Sequence, residues 1–383
     1  MYNGRIPIYT DIKVRGEDMV PISVCIIAKN EEKYIEKCLQ YLKPFDMEII
    51  VTDTGSTDRT KDIAAQYGAK VYDFPWVNDF SKARNFCAEK ASYNWILALD
   101  CDEYIQKFNE QQLRSCMEKY PAGIGRIVLK NAVYKQDGKV GYSCEEVPRF
   151  YNKKYCCFQY SIHESIALKP ELSSEKLKTQ ETFQTSIEVM HVGYMVSDEI
   201  LKAKQQRNLK LLYESLECEP ERGAYTYFQI GQSEHAIGNY KAAVEGYSKC
   251  LKVENDIKLQ YVQNCIIQLA TAYAQLDEPV KAVEVLEKYK DQIKTAPFLY
   301  TYGLALLGIE QPLKALLQLV LASMNPDTDK LGENIIYCYE HIIRLYEMFG
   351  QPQMAEPFKQ KYEKCLKERQ QVFNQIEEYA KTY

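Results

Sequence analysis

The chain is short of the features that define several large protein classes. It has no basic excess: 48 Lys and Arg stand against 53 Asp and Glu, for a net charge of −5 and a pI of about 5.7. That leaves no basic face for nucleic acid. It has no uninterrupted apolar run of bilayer length. The most apolar late stretch, Gly303 to Met324, is broken by Glu310, Gln311, Pro312 and Lys314, too often to span a membrane. Met1 to Pro21 has mixed charge and no apolar core, so it does not read as a signal peptide. The 13 cysteines include no CxxC pair, and Cys156-Cys157 have no zinc-ligand spacing around them. They read as reduced, small apolar core residues. These absences predict a soluble cytoplasmic protein with no membrane span and no nucleic-acid partner. Histidine is scarce, with 4 residues.

What is present suits a globular chain. It has 383 residues, 46% hydrophobic and 26% charged, enough for two domains. We place the boundary near residue 200, giving domains 1–200 and 201–383. In the first, Ile22 to Ala28 is a short apolar run of the kind buried on both faces of a sheet. Asn30 reads as the N-cap of a helix to about Leu42, with Glu31 and Glu32 in its first turn. Strands follow at Glu48 to Thr52, Lys70 to Phe74 and Trp95 to Leu99. Helices lie between them, one ending at Tyr67 before Gly68 and another over Ser81 to Ala91. Strands alternating with helices predict a parallel α/β sheet, whose ligands bind at the carboxyl ends of the strands. The polar loops after Ala28, Thr52 and Leu99 all fall at that edge. From Gly125 to Gly193 further strands (Arg126 to Lys130, Arg149 to Tyr151, Ile187 to Met190) are separated by polar loops.

From about Glu199 the chain reads as helical to its end. Ala243, Ala282, Ala315 and Ala355 recur at spacings of 39, 33 and 40. Gly231, Ala270 and Gly303 lie twelve residues before the first three, and Tyr247, Leu286 and Leu319 four after them. This resembles the tetratricopeptide repeat, whose helix pairs need small residues where they touch. Asn239-Tyr240, Glu278-Pro279, Gln311-Pro312 and Gln351-Pro352 fall at the turns. The fourth unit has Ile343 in place of the small residue. An unrelated all-helical domain is the competing reading.

Three acidic positions carry chemistry. Asp100-Cys101-Asp102-Glu103 follows an apolar strand at the ligand edge. Two carboxylates one residue apart can hold a hard divalent cation while a diphosphate supplies further oxygens; a solvated acidic turn is the plainer alternative. Asp53 ends the second strand, where it can accept from a base N–H or a ribose hydroxyl. Gly55 allows close backbone approach, and Asp58 reads as a helix N-cap. Glu164, in Ile162-His163-Glu164, can take a proton from an acceptor nucleophile, or can be a surface acid beside a buried histidine. His163 and His191 are metal-ligand candidates or structural residues. His235 and His341 lie among the helices and receive no role.

Taken in order, six stretches resemble a family 2 glycosyltransferase of GT-A fold: Ser23 to Glu31, Val51 to Asp58, Asn78 to Asn85, Trp95 to Glu103, Ile162 to Glu164 and His191 to Tyr194. An α/β GT-A nucleotide-diphospho-sugar transferase domain followed by all-α tetratricopeptide-like helices is similar to bacterial peptide (glycocin) S-glycosyltransferases. The resemblance implies that Ala28, Asn30 and Glu31 lie along the nucleoside and Asp53 on its base, uracil. It implies Arg84 near the ribose and diphosphate, and Asp100 on the ribose and metal side. Asp102 would bind Mg²⁺ or Mn²⁺, with His191 as an additional ligand. Glu164 would be the base, with His163 able to share that role. Cys101 and Thr54 depart from the commoner residues without removing a metal-binding group. The implied reaction is inverting transfer from a UDP-sugar to a peptide or protein side chain. The helical domain would bind the acceptor or form a homodimer. Two alternatives stand beside it: transfer to a cell-surface saccharide or lipid-linked glycan, and a non-catalytic scaffold with a decayed GT-A domain.

Overall fold

The computed structural model describes residues 20–134, 140–172, 181–194 and 198–380. The reading of Met1 to Pro21 therefore falls, up to residue 19, outside the described residues. The described residues form two compact units, one within Met1–Val133 and Cys144–Met195, the other within Tyr134–Ser143 and Val196–Tyr383.

The first unit is built on β1 (Ile22–Ala28), whose residues are buried almost throughout. It pairs in parallel with β2 (Glu48–Asp53) on one side and β4 (Trp95–Leu99) on the other. β3 (Lys70–Asp73) extends the parallel set beyond β2. Helices α1 (Glu32–Leu42), α2 (Thr60–Gln66) and α3 (Phe80–Lys90) connect these strands. The alternation of apolar strands and helices is thus realised close to its expected bounds, and Gly68 follows α2 with φ 82°.

The four strands read as parallel are so, and past Asp100, where the sequence pattern changes, the sheet becomes mixed. The chain continues as β5 (Glu103–Lys107), α4 (Glu110–Lys119), β6 (Ile124–Tyr134), β7 (Val140–Asn152), β8 (Cys156–Gln159), β9 (Ser165–Leu168) and β10 (Thr182–Tyr194). The eight-stranded order is β3-β2-β1-β4-β7-β6-β10-β5, with β8 and β9 as a separate hairpin. β7 runs against β4, and β5 against β10. Sheet neighbours β6 and β7 are separated in sequence by residues 135–139 alone, too few for the crossover that parallel neighbours require. The polar α4 buries only Leu113, so no apolar period announced it.

The second unit contains α5 (Asp198–Cys218), α6 (Gly223–Ala236), α7 (Tyr240–Val253), α8 (Gln260–Gln275), α9 (Pro279–Glu287), α10 (Ala296–Gly308), α11 (Pro312–Ser323), α12 (Asn334–Met348) and α13 (Pro352–Ala380). Helices α6/α7, α8/α9, α10/α11 and α12/α13 pack as pairs. The small residues sit where the pairs touch. A Cβ on Gly231 would lie 2.5 Å from the Tyr247 ring, and one on Gly303 would lie 2.7 Å from Leu319. Ala243, Ala282, Ala315 and Ala355 are fully buried, as are Tyr247, Leu286 and Leu319. Each turn within a pair uses a left-handed residue: Gly238, Asp277, Glu310 and Gly350. Proline then opens α9, α11 and α13 at the first helical position, where its missing N–H costs nothing. Among the described residues no helix is long and apolar enough to cross a membrane.

Candidate active site

The carboxyl ends of β1 and β2 lie side by side, with Ala28 in register with Asp53. Their loops are stitched together by polar groups. Asn30 does not cap α1 as expected. It adopts the left-handed conformation at φ 56°, and its Oδ1 accepts from Thr57 N at 2.8 Å while its own N donates to Ser56 Oγ at 2.8 Å. The first-turn donors of α1 are satisfied from the neighbouring loop instead: Glu31 N by Thr60 Oγ1 at 2.8 Å and Glu32 N by Asp58 Oδ2 at 3.1 Å. Asp58 also accepts from Thr60 N at 3.0 Å, and Glu32 Oε2 accepts from Arg59 N at 3.1 Å. Asp58 thus serves two helix starts at once.

Asp53 is 1% exposed. Its Oδ1 accepts from Gly55 N at 3.0 Å and Ser56 N at 2.9 Å, and Gly55 reaches φ 111° in that turn. Asp53 Oδ2 is buried without a protein partner. Ala28, Asn30, Glu31 and Asp53 therefore share one corner of the strand ends.

Arg84 occupies the centre of a chain of alternating charges. It projects from α3, whose start is capped by Asp79 accepting from Lys82 N at 2.9 Å. Arg84 Nε donates to Glu164 Oε1 at 2.6 Å, and Nη2 to Asp100 Oδ1 at 2.8 Å. The second Asp100 oxygen faces Arg149 Nη2 at 3.1 Å, and the same nitrogen lies 3.1 Å from Glu103 Oε1. Glu103, 1% exposed, also accepts from Asp100 N at 2.9 Å. Burial opposes ionisation of Asp100, but the Arg84 and Arg149 guanidiniums outweigh it and hold the carboxyl well below the usual range. Burial pushes the Glu103 carboxyl up, against the pull of Arg149. Buried Arg84 Nη1 has no protein partner.

Glu164 arrives at Arg84 because the β8–β9 hairpin is tied to α3. Asn85 donates from Nδ2 to Phe158 O at 2.8 Å and accepts from Phe158 N at 2.9 Å. Phe80 N donates to Ser161 O at 2.8 Å. The segment between β8 and β9 turns through left-handed Tyr160 and His163. His163 is half-buried, immediately before Glu164.

Asp102 and His191 form a second cluster. Asp102 Oδ2 lies 3.5 Å from His191 Nε2. On the other side of the ring, Nδ1 lies 2.7 Å from Asn131 Oδ1. β10 sets this up by pairing His191 with Glu103 of β5 and with Asn131 of β6. Val192 N donates to Asp102 O at 3.0 Å. Gly193 completes the pocket, since a Cβ there would lie 2.0 Å from Asp102 Oδ2 and 2.7 Å from His191 Nε2. Burial opposes protonation of His191, but the hydrogen bond and charge of Asp102, with Glu103 and Asp100, raise its pKa above the ordinary value. Among the described residues no three His, Cys, Asp or Glu side chains converge on a metal-sized gap. Asp102 and His191 are a pair.

The sequence reading missed Arg149, Glu103, Asn131 and Gly193. Glu103 borders the acidic pair and Gly193 lies within the His191 to Tyr194 stretch, whereas Arg149 and Asn131 belong to no motif. Arg149 and Asn131 become visible only when strand pairing brings them to the site.

Residues 23–160 match the model of "Glycosyl transferase family 2". The chain is 38% identical over 152 residues to a TPR repeat-containing protein of Synechococcus elongatus, covering 39% of this chain and 36% of that one. It is 30% identical over 246 residues to the SPbeta prophage-derived glycosyltransferase SunS of Bacillus subtilis, covering 61% of this chain and 55% of SunS. The chain thus spans between a third and somewhat over half the length of these relatives. A solved structure of MamA from Desulfovibrio magneticus RS-1 overlaps 45% of this chain and 96% of its own at 18% identity, with a TM-score of 0.35. Residues 23–160 are a glycosyl transferase family 2 domain, carried in a chain that continues as tetratricopeptide-like helices.

Proposed function

We propose that the chain is an inverting, divalent-cation-dependent glycosyltransferase that moves a sugar from a UDP-sugar to a peptide or protein side chain. The observation that carries the cation assignment is the Asp102–His191 pair. An oxygen and a nitrogen 3.5 Å apart stand slightly wider than two cis ligands at about 2.1 Å each, which lie about 3.0 Å apart, so a small closure of the pair would let both hold one ion. With Nδ1 directed at Asn131, the Nε2 lone pair can serve as ligand, the usual arrangement behind a metal-bound histidine. Gly193 keeps the gap open. Two protein ligands suit Mg²⁺ or Mn²⁺, which take their remaining positions from diphosphate oxygens and water. When bound, the cation would supply charge neutralisation for the departing nucleoside diphosphate.

The other roles are those the resemblance implies, and the placement supports them. Asp53, with Ala28, Asn30 and Glu31 beside it, receives the uridine. Asp100, held by two arginines, takes the ribose side. Glu164 is the general base, aimed by Arg84 Nε, with His163 next to it. The helical unit takes the acceptor, as stacked repeats provide extended binding surfaces. Leu313, Leu317, Leu321 and Met324 form an exposed apolar stripe along α11 and its C-cap, which supports the helical unit as a place where an acceptor or a second copy docks.

The test is a panel of nucleotide sugars incubated with the protein and Mn²⁺ or Mg²⁺, reading released nucleoside diphosphate and, by calorimetry, donor binding. Turnover or binding confined to one or two UDP-sugars is expected. Silence in both readouts would overturn the reading.

A further inference from the structure

We propose that Arg149 is a positioning residue for the donor end of the site, acting through Asp100 and Glu103 on the turn that carries Asp102. The inference rests on the reading of Asp100 to Asp102 as the donor-binding turn. Neighbouring residues of a strand face opposite sides of a sheet. On β7, Phe150 faces one side and stacks on Trp95 at 4.8 Å. Arg149 and Tyr151 face the other, where Tyr151 packs with Cys87 and Ala88 of α3. Arg84 lies one turn before those residues on α3. Two guanidiniums from different elements therefore approach Asp100 together, one to each oxygen, at 2.8 and 3.1 Å.

Arg149 does more than neutralise Asp100. Its Nη2 also reaches Glu103 Oε1 at 3.1 Å, and Glu103 Oε2 accepts from Asp100 N at 2.9 Å. Within the same turn Glu103 N donates to Asp100 O at 3.1 Å. Residues 100 and 103 are thus locked to each other by a closed ring of bonds that passes through one guanidinium nitrogen. Asp102 lies inside that ring's turn. A rotation of the turn would change the gap between Asp102 Oδ2 and His191 Nε2. Arg149 touches neither of those groups, so its effect is on where Asp102 stands.

The test uses the full chain with UDP and Mn²⁺ as the probe. Arg149→Met alone strips a buried carboxylate of its cation and risks unfolding the chain. The double variant Arg149→Met/Glu103→Gln removes both charges and keeps an amide oxygen for the Asp100 N–H. Arg149→Lys keeps a cation without the planar fork. Melting temperature and calorimetric affinity for UDP with Mn²⁺ are read on each. The double variant is expected to melt near the wild type and to bind the probe about 10- to 100-fold more weakly, the range for residues that orient a metal ligand. The lysine variant is expected to lose affinity as well. A double variant that melts and binds like the wild type would overturn the assignment. If the double variant does not fold, wild-type affinity in the lysine variant would do so. Absence of probe binding by the wild type would instead overturn the donor-site reading, and this inference with it.

Discussion

Asp102 Oδ2 and His191 Nε2 face each other across 3.5 Å, and the residue two places past the histidine is a glycine because a side chain there would fill the gap. A Cβ at Gly193 falls 2.0 Å from the Asp102 oxygen. The φ of Gly193 is not among the left-handed values, so alanine is sterically excluded by its neighbours and not by its backbone. Gly193→Ala should weaken binding of UDP with Mn²⁺ by about 10- to 100-fold, since it must push one member of the pair aside. Calorimetry on the purified variant checks this, and unchanged affinity would show that the pair is not the cation seat.

Glu164 is fixed by Arg84 Nε at 2.6 Å. If it is the general base, Glu164→Gln should lower turnover by about 10²–10⁴-fold and leave donor affinity near the wild type. Single-turnover rates and donor binding, measured together, separate the roles. A loss of donor affinity with preserved chemistry would make Glu164 a binding residue.

Glu48 gives a pH signature unrelated to the site. Its side chain is 8% exposed, and it accepts from Ser23 Oγ, Ser92 N and Oγ, and Lys70 Nζ. Burial opposes ionisation, but those donors outweigh it and bring the pKa from 4.5 to about 2. A depressed folded-state pKa means stability that is present above pH 4.5 and lost as the pH falls toward about 2. Glu48→Gln should therefore cost about 1–3 kcal/mol at neutral pH, with a smaller gap from the wild type at acid pH. Urea denaturation of both proteins at neutral and acid pH measures it. A gap of constant size would mean that the carboxylate's charge is not what these donors stabilise.

In the helical unit, Gly231 stands where α6 meets α7, and a Cβ there would lie 2.5 Å from the Tyr247 ring. Tyr247 is itself fully buried and has little room to withdraw. Gly231→Ala should destabilise the unit by about 1–3 kcal/mol through overpacking, outweighing the helix propensity that alanine adds. Thermal denaturation reports the effect. A stabilised variant would show that the pair is looser than its geometry indicates.

The parts of this molecule legible in its sequence are those governed by local rules. Ile22 to Ala28 reads as a buried strand from its short apolar run, and the spacing of the small residues at 231, 243, 270, 282, 303 and 315 pointed to helix pairs. The acidic pair after β4 was visible because a polar loop must follow a strand that ends at a ligand edge. What remained hidden depended on pairing distant in sequence. Arg149 sits in β7 with no local mark, and it meets Asp100 only because β7 runs antiparallel beside β4. Asn131 meets His191 only through the β6–β10 register. Asn30 misled for a related reason. It has the composition of an N-cap, but Asp58 and Thr60 reach across from the next loop to satisfy that helix start, leaving Asn30 to bridge the loops.

The claim that the Asp102–His191 gap seats the catalytic cation is tested most directly by the rate of nucleoside diphosphate release as Mn²⁺ is titrated into metal-stripped protein. The donor is whichever UDP-sugar the panel identifies, and wild type and Asp102→Ala are compared. The account predicts a rate that rises with Mn²⁺ to saturation in the wild type and no metal-dependent rise in the variant. A wild-type rate indifferent to Mn²⁺, or an Asp102→Ala rate that saturates as the wild type does, would contradict it.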